Sequence, residues 1–193
     1  MILWTIQPEA VYNSIIEDGV YHCDFSQSFL RDHKMQYDWL VSKMIKHIGE
    51  RPNGVSYPVW AWYKWNGKRE QPDLRSERWG NGFCGDVFYC IKIKIPDEQV
   101  LLSDFDSWSI ILVNGLISES EEEYNALEKR YNALSKEKQK NMKDKNWERV
   151  FNIEELDNDW VSCGNCVQAT FLELKKENIV FAKKFVSAHA RKI

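Results

Sequence analysis

Residues 57–65 read Tyr-Pro-Val-Trp-Ala-Trp-Tyr-Lys-Trp, and the chain then turns at Asn66-Gly67 into two cations, Lys68 and Arg69. Flat rings beside positive charge are the groups that stack a base or a nicotinamide and hold its phosphates. Trp62 and Trp65 stand nearest the stretch from Lys68 to Gly85, where Arg69 and Arg75 are candidate contacts for an anionic ligand. The same rings also suit a core, because burying each one contributes on the order of a few kcal/mol. Successive strand residues point to opposite faces, so one strand can serve both purposes.

Other residue types point elsewhere. Asp104 and Asp106 lie two apart after a strand, a spacing that can bind a metal or share a proton, although a helix cap accounts for Asp106 without any chemistry. Cys163-Gly164-Asn165-Cys166 is the only CxxC, whereas a structural zinc site takes four ligands, and no metal is expected. The histidines, His22, His33, His47 and His189, show no metal spacing; His22, just after Gly19, is the one best placed to act. No nucleophile elbow, P-loop or dinucleotide glycine fingerprint is present.

These residues need elements to hold them. Ile2 to Ile6 is a short apolar strand, followed by a helix that begins near Pro8, carries Val11, Ile15 and Ile16 on one face, and stops at Gly19. Tyr37, Leu40, Val41, Met44, Ile45 and Ile48 repeat at helical spacing up to Gly49. Residues 59–63 are apolar on both sides, as in a strand covered on both faces. Residues 68–85, rich in glycine and arginine, form an expected mobile loop beside it.

Val87 to Ile95 and Val100 to Phe105 read as strands, with a helix after Asp106. Ser120 and Glu123 make a capping box for one long charged helix over 120–145, on which Tyr124, Leu127, Tyr131 and Leu134 form a stripe suited to packing, to a protein partner or to self-association. Its late lysines complement the helix dipole and can also meet phosphates. Val161 to Leu174 and Ile179 to Val186 complete the strands.

With 193 residues, 44% of them hydrophobic, the chain has material for one sizeable core and reads as a single domain over 1–193. The absence of a membrane-length apolar run, of an export signal and of an even cysteine set (there are five) gives the expectation of a cytoplasmic protein with reduced thiols and no membrane contact. A net charge of −3 excludes a general basic field, so any nucleic-acid contact must be local.

The phrases ILWTIQP, YPVWAWYKW, IPDEQVLLSDFDSW and QATFLEL, in this order, resemble a bacterial family known only as domain of unknown function 3841. More distantly, the element order and the late Gln168-Ala169-Thr170-Phe171-Leu172 resemble the ADP-ribosyltransferase fold of toxins that modify DNA bases. That resemblance implies an α+β domain with a mixed or antiparallel central sheet and flanking helices. It implies a cleft for NAD or a related nucleotide in which Thr5 and Gln7 orient the nicotinamide half, Trp62 stacks and Lys64 steadies phosphate. Gln168 or Thr170 would hold ribose. In those enzymes a glutamate occupies the Thr170 position, and a hydroxyl there is no general base near neutral pH. Glu173 lies three residues on, across the strand. The reading at this stage is a nucleotide-binding cleft, with ADP-ribosyl transfer to nucleic acid or protein as its active form. The alternative is a non-enzymatic module for a nucleotide, a single-stranded base or a protein partner.

Overall fold

The computed structural model describes residues 1–23, 32–74 and 85–187. In chain order its strands and helices are β1 (Ile2–Pro8), α1 (Glu9–Asp18), β2 (Val20–Tyr21), α2 (Lys34–Ile48), β3 (Val59–Lys64), β4 (Val87–Lys94), β5 (Leu101–Asp104), α3 (Phe105–Leu112), α4 (Glu121–Asn132), α5 (Lys136–Trp147), β6 (Leu156–Asp157), β7 (Ser162–Cys163), β8 (Val167–Phe171), β9 (Leu174–Lys175) and β10 (Ile179–Val186). Six strands form one sheet in the order β10-β4-β1-β3-β8-β5, every neighbouring pair antiparallel. The aromatic strand β3 thus lies between β1 and β8, the convergence that three apolar strands needing mutual cover require.

Register divides the sheet into two faces. On one, Leu3, Val59, Ala61, Ile91, Ile93 and Phe171 pack with Ile15 of α1. On the other, α2, α3 and α5 bring Tyr37, Leu40, Met44, Trp108, Ile111 and Trp147 together with Leu101, and Trp60 packs against them. Aromatic rings meet edge to face here, Tyr37 lying 5.5 Å from Trp108 and Trp39 5.5 Å from Trp147.

Local chemistry explains most ends. Gly19 takes φ 83 and its N–H reaches Ile15 O, which stops α1. Asn66 and Gly67 both adopt positive φ, and Trp65 and Lys68 exchange backbone hydrogen bonds of 2.8 and 3.0 Å around them.

Two expectations are corrected. Asp104, not Asp106, caps α3: its Oδ1 accepts the Ser107 N–H at 2.7 Å because the helix starts directly at Phe105. Residues 120–145 form two helices rather than one. Ser120 does cap α4, but the chain breaks over residues 133–135, and Gln139 of α5 donates to Tyr131 O at 3.0 Å, satisfying a carbonyl at the end of α4. Asn146 then pins α5 to the core by pairing with both backbone groups of Ile117, at 2.7 and 2.8 Å. Of the loop 68–85, residues 75–84, including Arg75, lie outside the described residues.

Candidate functional site

The candidate residues fall on both faces of the sheet. Trp62 pairs with Gln168, Gln168 with Ser103, and Trp62 with Trp4, so these four share one face. Trp4 pairs in turn with Lys92, and Lys92 with Phe181. A single transverse row therefore runs Ser103, Gln168, Trp62, Trp4, Lys92, Phe181 from one edge of the sheet to the other.

Its inner half is core. Trp62 is 6% and Trp65 4% exposed; the two rings meet edge to face at 4.6 Å, beside Phe105 and the buried Cys166. Thr170, on the same face, is fully buried and donates to Leu101 O at 3.1 Å. Ser103 Oγ, Gln168 Oε1 and the indole N–H groups of Trp60 and Trp65 are buried with no hydrogen-bond partner among the described residues, a rare condition for polar atoms in a core.

Thr5 and Gln7 occupy the opposite face. Thr5 is opposite Ile91, 1% exposed, and its hydroxyl donates to Trp60 O at 2.8 Å while accepting from Gln7 Nε2 at 2.7 Å. Arg69 lies with its guanidinium 4.2 Å from the Tyr63 ring, and Tyr63 packs with the α1 side of the core. Lys64 forms an ion pair with Glu155 at 2.9 Å. The sheet thus brings together Trp62, Gln168 and Thr170 and separates them from Thr5 and Gln7.

The outer half of the row is a different surface. β1, β4 and β10 contain no aspartate or glutamate, yet β4 and β10 carry Lys92, Lys94, Lys183 and Lys184. Register puts Trp4, Ile6, Phe88, Cys90, Lys92, Lys94, Phe181, Lys183 and Phe185 on one face. Cys90 on this face is fully buried. Phe181 is 50% exposed, the Lys92 ammonium sits 5.5 Å from the Trp4 ring centre, and Phe88 stacks on Phe185 at 6.0 Å. Burial pushes the Cys90 thiol up to about 11, against the pull of Lys183, so it stays protonated. The sequence signal for this face was the alternation of rings and lysines in β4 and β10, read only as strand pattern.

The remaining candidates have structural roles. Asp104 is fully buried; its Oδ2 accepts the Gly164 N–H at 2.8 Å, joining the start of α3 to the CxxC turn. Cys163 donates to Asn152 O at 3.3 Å, and burial first, then Asp104, pushes its thiol up to about 11. Among the described residues no three His, Cys, Asp or Glu side chains gather as a metal site. His22 pairs with Glu173 at 2.8 Å, and Glu173 also meets Lys175 at 3.3 Å.

Residues 2–180 match the family described as Domain of unknown function (DUF3841). The chain belongs to that family. No curated protein and no solved structure matches it, and the likeness of this DUF3841 chain to the ADP-ribosyltransferase fold finds no support there. No helix among the described residues is long and apolar enough to cross a membrane.

Proposed function

We propose that this chain is a binding module for single-stranded nucleic acid, which it holds on the lysine- and phenylalanine-bearing face of β1, β4 and β10. The observation that carries the reading is the composition of that face: rings interleaved with lysines and no carboxylate on any of the three strands, in a chain whose net charge is −3. Rings on a sheet stack unpaired bases with little regard to sequence, and lysines between them meet the phosphates. Lysines on an edge strand also discourage pairing with other sheets, but such a guard has no use for an exposed Phe181 beside them. A direct test compares a fluorescent single-stranded oligonucleotide with its duplex. The single strand should bind at least tenfold tighter, because duplex bases are already stacked; equal binding would reduce the face to a general basic patch.

The alternative, an NAD cleft with ADP-ribosyl transfer, needs Thr5 and Gln7 to converge with Gln168 and Thr170. The register that puts Trp4 opposite Trp62 sets these pairs on opposite faces. The Thr170 hydroxyl is bonded to Leu101 O. Binding is the reading these placements favour over transfer.

A further inference from the structure

The sheet face leaves unused a second basic feature, the cleft between α2 and the α4–α5 hairpin, which encloses about 800 Å³. Pockets of this size hold small organic ligands, with an apolar lining and a few polar groups that fix orientation. Here Trp39 and Trp147 line it together with Met35 and Tyr131. From these elements we infer that the cleft binds a phosphate ester of nucleotide size.

The charges decide the ligand class. Of the lysines on α5, Lys136, Lys140 and Lys143 line the cleft, and they are spaced four and three apart, which puts them on one stripe of the helix. Like charges at this spacing repel, and an anion between them removes the repulsion. Lys143 is held in place: its ammonium donates to Asn114 O and Oδ1 at 2.9 and 3.0 Å and lies 4.8 Å from the Tyr131 ring centre. Lys136 and Lys140 have no carboxylate partner among the described residues. Of the two acids in the lining, Asp38 is engaged by Lys34 at 2.5 Å and by the Tyr57 hydroxyl at 3.2 Å. Asp144 is left, and its charge stands against a long polyanion more than against one phosphate group flanked by three ammoniums. The phosphate belongs on the lysine stripe, and the organic part on Met35 and Tyr131.

The test uses the full chain with AMP, ATP, pyrophosphate and polyglutamate as probes, read by tryptophan fluorescence through Trp39 and Trp147 and by calorimetry. ATP or AMP should bind at micromolar to submillimolar concentration. Lys136→Ala/Lys140→Ala should weaken that binding at least tenfold with an unchanged melting temperature. Tyr131→Ala should weaken the nucleotides at least threefold and leave pyrophosphate unaffected. Phe181→Ala should leave all of these values unchanged, which separates this cleft from the sheet face. Binding of polyglutamate but not of nucleotides, nucleotide binding no tighter than that of pyrophosphate, or equal affinity in the double variant would each overturn the inference.

Discussion

Trp4 and Trp62 stand directly opposite each other on adjacent antiparallel strands, and the sheet changes character between them. On the Trp62 side the row is buried among Trp65, Phe105 and Cys166. On the Trp4 side it meets the Lys92 ammonium and ends at the half-exposed Phe181. One transverse row therefore serves as core at one end and as candidate binding surface at the other, and the predictions follow from that division.

The buried end should respond as packing does. Thr170→Glu places a carboxylate where the residue is fully buried and the hydroxyl's partner among the described residues is a backbone carbonyl. An unpaired buried carboxylate costs on the order of 3 kcal/mol or more, so chemical denaturation should show a large loss of stability. Nicotinamide release from NAD should not rise. A stable Thr170→Glu protein with measurable NAD hydrolysis would reinstate the transferase-like cleft.

Neighbouring polar groups separate bonded from unbonded cases. Thr170→Val removes a made hydrogen bond and should cost about 1 kcal/mol, whereas Ser103→Ala removes a hydroxyl that has no partner among the described residues and should be neutral or stabilising. Thermal melts of the two variants give the comparison, and equal losses would show that Ser103 has a partner in solution.

Gly164 is required by both conformation and space. Its φ is 74, and a Cβ there would lie 2.6 Å from Ile153 O and 2.8 Å from Glu154 O. Gly164→Ala should therefore destabilise by about 2 kcal/mol or more through strain and displacement of the Asp104 contact. Asp104→Ala should cost about 1–2 kcal/mol from the lost cap alone, with a further loss from the unpaired Gly164 N–H. Urea midpoints near the wild-type value for either variant would show that the turn relaxes.

Acid should loosen the link between α4 and the segment after α5. The hydrogen bond from Arg149 is the main cause holding the Glu123 carboxyl below its ordinary value of 4.5, with burial opposing it. A carboxylate depressed in the folded state contributes stability that is complete above the ordinary value and is lost as pH falls through the folded one. Since Glu123 is partly exposed, that contribution is under about 1 kcal/mol. Glu123→Gln should lower the melting temperature at neutral pH, and its difference from wild type should shrink as pH falls below the ordinary value of 4.5. A constant difference across that range would assign the effect to packing.

Element types were largely legible in the sequence, because alternation in β4 and helical spacing in α2 are local signals. Which face each residue serves was not. That depends on the register between β1 and β3, a pairing of segments far apart in the chain, and a one-residue slip would exchange the faces. Thr5 and Trp62 therefore read as partners and fold as opposites. The break between α4 and α5 was hidden because lysine and glutamate favour helix on both sides of Ser135. The Asp104 cap was missed by two residues because strand and helix follow without a linker.

The central claim is tested most directly by anisotropy titration of a labelled single-stranded oligonucleotide at several salt concentrations, with Phe181→Ala and Lys183→Ala beside wild type. Loss of one stacked ring should weaken binding about tenfold, from the roughly 1–3 kcal/mol that such a stack contributes, without changing the salt dependence. Loss of the lysine should reduce the slope of log affinity against log salt by about 0.7, the value for one phosphate contact on a single strand. Wild-type affinity in both variants, or no binding by the wild type at low salt, would contradict the account.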